Sequence, residues 1–173
     1  MIRQSISIEK FVVKPQLIWD ELLLTSGDFT ESRFNAMTVG WGSLGVMWGI
    51  PFVQVVVRPI RYTYEFMEQY STFTVCAFSE EYHQALQLLG TKSGRDGDKI
   101  AEAGLTPIPS TQVAAPSFAQ AELVLECRKI YWDDLQKDNF LDKRIGKNYP
   151  NKDYHRIYYG EILAVLGDKH YKA

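Results

Sequence analysis

The run FVQVVV at residues 52–57 constrains the fold most. Its β-branched residues suit a pleated surface and lose rotamer freedom in a helix. Apart from Gln54 it is apolar on both faces, so the strand it forms is expected to be central in a sheet or at a subunit contact. Upstream stand Gly40, Gly42, Gly45 and Gly49, interleaved with Trp41 and Trp48. Residues 42–51 are too glycine-rich for a regular helix, and they read as a loop with Met47 and Trp48 packed against the body of the protein. Downstream, Pro59 closes the strand, and Thr63 can cap a short helix, TYEFMEQY, with Glu65 in its favourable first turn.

The neighbouring segments repeat this alternation of strands and short helices. LIWDELLLTS reads as a short helix passing into a strand at residues 22–25. Gly27 and Asp28 then supply turn chemistry for a hairpin whose second strand spans residues 34–41. On that strand Phe34, Ala36, Thr38 and Gly40 point one way, and Asn35, Met37, Val39 and Trp41 the other. FTVCAF is a further buried strand. In SEEYHQALQLLG, Ser79 caps, two glutamates fill the first turn and Gly90 stops the helix. Another short helix spans residues 98–103, stopped by Gly104. Two long strands, AELVLECRKIYW and YHRIYYGEILAVL, flank a charged loop at 133–153 that is expected to be exposed.

Helices inserted between strands, without regular β-α-β alternation, favour a mainly β antiparallel barrel over a doubly wound sheet. No GxGxxG follows a strand, which argues against a Rossmann dinucleotide site. A chain of 173 residues with neither repeats nor low-complexity tracts reads as a single domain, 1–173. A formal charge of −2 leaves no basic surplus for nucleic acid or acidic membranes. The N-terminus lacks a signal-peptide core and no apolar run reaches membrane-span length, so a cytoplasmic location is expected. Cys76 and Cys127 lie in apolar strands and read as buried free thiols. The histidines are dispersed, and no metal site is expected.

Three constellations could carry chemistry. Arg58 and Arg61 flank a proline-rigid turn before the helix at Thr63, where a phosphate would gain charge-assisted bonds and the helix-end field; surface ion pairs are the plainer alternative. Lys92, Ser93 and Arg95 surround Gly94 in a polar loop that either contacts an anion or is a solvated turn. Asn35, Met37, Thr38 and Trp41 form a polar and aromatic face. A ring-binding surface followed by an anion-binding turn suits a ligand with a flat ring at one end and a phosphate at the other. No nucleophilic-hydrolase pattern is present.

FNAMTVGWGSLGVMWG, VVVRPIRYTYEFMEQYSTFTV, LGTKSGRDGDKIAEAGL and YYGEIL, in this order, resemble the flavin reductase-like family of FMN-binding split barrels, flavoredoxins included. The resemblance runs over residues 22–165. It implies a Greek-key split β-barrel, a homodimer, and FMN near the subunit interface. On the same basis Asn35, Met37, Thr38 and Trp41 would meet the isoalloxazine ring. Arg58, Arg61, Tyr62 and Thr63 would hold the phosphate, with Lys92, Ser93 and Arg95 closing over it and His155 facing the flavin region. The implied activity is that of an FMN-dependent oxidoreductase fed by NAD(P)H or a redox protein. An FMN-binding module or electron carrier without NAD(P)H turnover is the alternative. The tryptophan-rich insertion and the 133–153 loop depart from the better-known reductases.

Overall fold

The computed structural model of the protein describes residues 3–13 and 22–173. The helix expected just before residue 22 lies outside them. Ten strands are described: β1 (Gln4–Ile6), β2 (Leu22–Asp28), β3 (Arg33–Val39), β4 (Gly42–Met47), β5 (Ile50–Val57), β6 (Thr72–Ala77), β7 (Pro107–Ile108), β8 (Ser117–Phe118), β9 (Leu123–Asp134) and β10 (Arg156–Gly167). Helices α1 (Tyr62–Gln69), α2 (His83–Thr91) and α3 (Lys99–Glu102) are inserted between them.

The main sheet is antiparallel and runs β3-β2-β6-β9-β10-β5-β4, with β1 added on β10. Inward residues from β2, β3, β5, β6, β9 and β10 meet in one cluster that includes Leu24, Met37, Val55, Val57, Phe73, Val75, Leu125 and Tyr158. Strands so far apart in the sheet can share one core only if the sheet wraps round it into a barrel. Met67 of α1 joins that cluster. The alternate residues Leu23, Ala36, Cys76 and Val124 face outward, yet they are equally buried, because Leu86 and Leu89 of α2 and Ile100 of α3 cover them. Period-two alternation therefore places apolar side chains on both faces of β2, β3, β6 and β9.

The barrel, the β2–β3 hairpin, the FTVCAF strand and the two long closing strands agree with the sequence reading, and β5 lies between β10 and β4, inside the sheet. Cys76 and Cys127 are fully buried free thiols, and burial pushes the Cys76 thiol up to about 12. Three local readings are corrected. Residues 42–51 are not a loop but the β4–β5 hairpin, closed by Trp48 (φ 56) and Gly49 (φ 72). Positive φ at both central positions is the two-residue turn whose twist matches paired strands. Met47 and Trp48 accordingly lie at its exposed tip, Trp48 at 63% exposure. Thr63 does not cap α1, because the helix starts at Tyr62 with Arg61 at the cap position; Thr63 lies inside the first turn, where its hydroxyl accepts from Asn35. Gly90 does not stop α2, which runs on to Thr91; a Cβ there would lie 2.3 Å from Thr38 Oγ1, so the glycine serves a close helix–strand approach.

Candidate functional site

The start of α1, the end of α2 and the start of α3 converge on β3 around a cavity of about 190 Å³. Asn35 and Met37 line it from β3, Arg61, Tyr62 and Thr63 from the α1 end, and Lys92, Ser93, Gly94 and Lys99 from the segment after α2. Asn35 Nδ2 donates to Thr63 Oγ1 at 2.7 Å, so the buried amide ties the strand to the helix start. Gly94 presses on the same amide: a Cβ there would lie 2.2 Å from Asn35 Oδ1 and 3.1 Å from the Tyr62 ring. Only glycine lets the loop come this near. At the start of α1, Tyr64 N donates to Arg61 O at 3.0 Å, while Tyr62 N and Thr63 N have no hydrogen-bond partner among the described residues.

Arg61 Nη2 donates to Gly90 O at 2.5 Å, and Lys99 Nζ to Leu89 O at 2.8 Å and Lys92 O at 3.0 Å. Neither cation pairs with a carboxylate among the described residues. Burial, reinforced by Arg58, draws Arg61 below its ordinary value. Burial, reinforced by Arg61, draws Lys99 down to about 8. Desolvation and mutual repulsion both disfavour such charges, and an anion in the cavity would relieve both.

A second cluster gathers around His155. Its Nδ1 lies 2.8 Å from the Tyr149 hydroxyl, and the Trp41 ring, half exposed, sits 5.0 Å from the imidazole centroid to centroid. Arg58 Nη1 donates to Asp153 Oδ2 at 2.9 Å, its Nη2 to Asn148 O at 2.8 Å, and its guanidinium lies over the Tyr149 ring. The other Asp153 oxygen is buried without a hydrogen-bond partner among the described residues. Burial and the Arg58 charge, against the pull of Asp153, bring His155 down to about 4. The imidazole is therefore neutral at physiological pH.

The expected site residues thus divide. Asn35, Met37, Arg61, Tyr62, Thr63, Lys92 and Ser93 share the cavity. Arg58 is not among them: its partner is Asp153, and it braces the 148–155 segment instead. Arg95 stacks on Tyr62 and pairs with Glu65 on the surface, and Lys92 Nζ is held by both oxygens of Glu102. Thr38 packs beneath Gly90, while Trp41 joins His155. Sequence reasoning missed Lys99 and Tyr149. A lysine at a helix start looks like a surface residue, and Tyr149 lies in a charged loop that is otherwise largely exposed. The signal for Tyr149 was the loop's aromatic content, since it packs with Phe140 and Tyr154.

A family model described as "Flavin reductase like domain" matches residues 22–173. The chain belongs to this family. An uncharacterized protein of Pyrococcus abyssi is 29% identical over 145 residues, covering 82% of this chain and 70% of that protein. One of Archaeoglobus fulgidus is 26% identical, covering 76% of this chain and 64% of that protein. Flavoredoxin of Desulfovibrio vulgaris superposes with a TM-score of 0.67 at 25% identity, over 87% of this chain and 70% of that one. An FMN-binding domain of a flavin reductases-like enzyme from Shewanella baltica gives 0.71 at 17% identity, over 96% and 78%. The barrel is the split-barrel fold of the flavin reductase-like proteins. Family membership makes a flavin the cofactor to test, and the donor set suits one with a phosphate: buried Lys99 and half-buried Arg61, neither paired with a carboxylate among the described residues, a hydroxyl and an amide.

Proposed function

We propose that the chain is an FMN-binding oxidoreductase of flavin reductase or flavoredoxin type, a single cytoplasmic domain acting as a homodimer. The phosphate would enter the cavity of Arg61, Thr63, Ser93 and Lys99, and the ring would lie towards Asn35, Met37 and Trp41. The observation that carries this reading is the pair of cations at the cavity, Arg61 and Lys99, with no carboxylate partner among the described residues. A bound flavin accepts a hydride and releases electrons singly or in pairs. The protein's part is to bind, orient and shield: Arg61 and Lys99 supply positive charge, and Asn35 fixes the helix start. Neutral His155 can accept or donate one hydrogen bond at Nε2 without adding charge. Electrons would come from NAD(P)H or a redox protein and pass to an acceptor. Fully buried, unpaired thiols agree with a reducing compartment.

Titration with FMN and riboflavin tests the assignment. Both carry the same ring, so the phosphate alone separates them. One charge-assisted bond contributes roughly 1.5–3 kcal/mol, so Arg61→Ala should cut the preference for FMN about ten- to a hundredfold. Arg58→Ala should leave that preference in place, because Arg58 is committed to Asp153. Equal binding of the two ligands by the wild type would remove the phosphate site. Reduction of the loaded protein by NADH or NADPH, followed by stopped flow, separates a reductase from an electron carrier without NAD(P)H turnover.

A further inference from the structure

The charged loop between β9 and β10 brings Tyr149, only 5% exposed, against His155. The Tyr149 ring is held on several sides. Phe140 stacks on it at 5.8 Å, Tyr154 packs at 5.1 Å, and the Arg58 guanidinium lies 5.1 Å from its centroid. Arg58 is itself fixed by Asp153 and by Asn148 O. The Tyr149–His155 hydrogen bond can run in two directions, and these leave the imidazole in different tautomers. If Nδ1–H donated, the tyrosine proton would have no acceptor, because His155 Nδ1 is the one partner of that hydroxyl among the described residues. If the hydroxyl donates, both groups are satisfied and the ring proton is confined to Nε2. Burial raises Tyr149, so the hydroxyl keeps the proton it donates. Nε2 has no partner among the described residues. The buried side-chain atoms without one are Thr25 Oγ1 and Asp153 Oδ1, so Nε2 is open to solvent.

We propose that Tyr149 is a positioning residue that locks His155 as the Nε2–H tautomer, so that a neutral imidazole presents one fixed donor, beside Trp41, to a hydrogen-bond acceptor on a bound ring. The chemistry selected is a flat ligand whose edge carries a carbonyl oxygen or an unprotonated ring nitrogen. The identity of that ring rests on the flavin reading above, whereas the tautomer belongs to the protein alone. An imidazole whose proton moved freely between its nitrogens would offer a donor part of the time and an acceptor otherwise. A partner fixed at one nitrogen removes that ambiguity, as it does for histidines oriented by a neighbouring oxygen elsewhere. Arg58 thereby acquires a role apart from the phosphate cavity: it clamps the aromatic cluster that aims Tyr149.

Long-range proton–nitrogen correlation NMR on isotope-labelled protein at neutral pH reads the tautomer directly, with and without FMN. In the wild type His155 should show a pyridine-like Nδ1 and a pyrrole-like Nε2, and FMN should shift the Nε2–H proton downfield. Tyr149→Phe keeps the ring and its stacking but removes the donor, so the two nitrogen signals should move towards each other as both tautomers become populated. Its flavin affinity should fall about twofold if the donor tautomer drops to half. His155→Leu removes the donor itself and should weaken FMN and riboflavin alike, about two- to tenfold, the worth of one neutral hydrogen bond. The ratio of the two affinities stays at the wild-type value in both variants, whereas Arg61→Ala changes it. A pyrrole-like Nδ1 in the wild type, or a Phe variant with the wild-type nitrogen pattern, would overturn the role of Tyr149. An Nε2–H signal indifferent to FMN, or flavin affinities unchanged in His155→Leu, would overturn the acceptor site and leave the phosphate cavity standing. A wild type that binds neither flavin would sink the flavin reading and the ring assignment with it, while the nitrogen pattern still decides the tautomer. Should the Phe variant fail to fold, the wild-type pattern and its response to FMN decide alone.

Discussion

His155 shows how a single side chain is governed by its neighbours. Burial first, then Arg58, hold its ring neutral down to about pH 4, against an ordinary value of 6.5. Between those values the unfolded chain takes up a proton that the folded protein refuses, so stability falls as pH drops through that window. A shift of this size corresponds to on the order of 3 kcal/mol when fully developed. His155→Gln should therefore flatten the dependence of stability on pH between 6.5 and 4, read by urea unfolding at several pH values. An unchanged slope would assign the acid sensitivity to carboxylates such as Asp134 and Asp153, both held low by arginine partners. Trp41 offers a second test. Its half-exposed ring lies against His155, whereas Trp48 sits at the hairpin tip beside Tyr131 and Tyr159. Stacking adds roughly 0.5–1.5 kcal/mol beyond area burial. Trp41→Ala is expected to weaken flavin binding about three- to tenfold, and Trp48→Ala to leave it unchanged, by fluorescence titration.

At the scale of elements, two glycines decide geometry for different reasons. Gly49 completes the positive-φ turn of the β4–β5 hairpin, and a Cβ there would meet nothing within 4 Å. Gly49→Ala should thus cost only the left-handed backbone penalty, about 1–2 kcal/mol, in a thermal or urea unfolding measurement. Gly160, next to a register shift between β9 and β10, leaves no such room: a Cβ would lie 2.4 Å from the Phe73 ring. Gly160→Ala should cost more than Gly49→Ala, because Phe73 is fully buried and cannot step aside. The β4 strand escaped the sequence reading because nearly all of it is exposed. Without a buried face it carries no apolar alternation, and its pairing with β5 depends on the Trp48-Gly49 turn. The β2–β3 hairpin was legible because both its faces are buried; its turn was not, since Gly27 and Asp28, expected to form it, pair with Phe34 and Arg33 inside the ladder and residues 29–32 make the turn.

At the scale of the whole molecule, an aromatic patch stays exposed to solvent. The FVQVVV strand was one reason to expect a subunit contact, but β5 is buried within its own sheet. Exposed large apolar groups lie elsewhere, among them Val46 and Trp48 on the β4–β5 hairpin and Tyr131 on β9, whose ring lies 5.9 Å from that of Trp48. A homodimer that buries this face is expected to show about twice the 19.9 kDa chain mass by light scattering. Trp48→Glu should shift that mass towards the monomer without unfolding the protein, since Trp48 supports no core. A monomeric wild type at micromolar concentration would rule out both the dimer and a flavin site shared across it.

By itself the sequence determined the barrel class, the strands with a buried face, the buried thiols and the family, because these follow from local periodicity and from segments in a characteristic order. It also pointed to most of the cavity: Asn35, Arg61, Thr63 and the loop at 92–94 are each marked by residue type and position. Only the tertiary structure decided how those residues divide. Arg58 and Arg61 are three positions apart in the chain, yet one faces Asp153 and the other the end of α2. Lys99 became a buried cation because α3 packs against the end of α2 and brings its amine under two carbonyls. Which charges end up paired and which stay unpaired depends on contacts between segments distant in sequence, and no local pattern of residues records that.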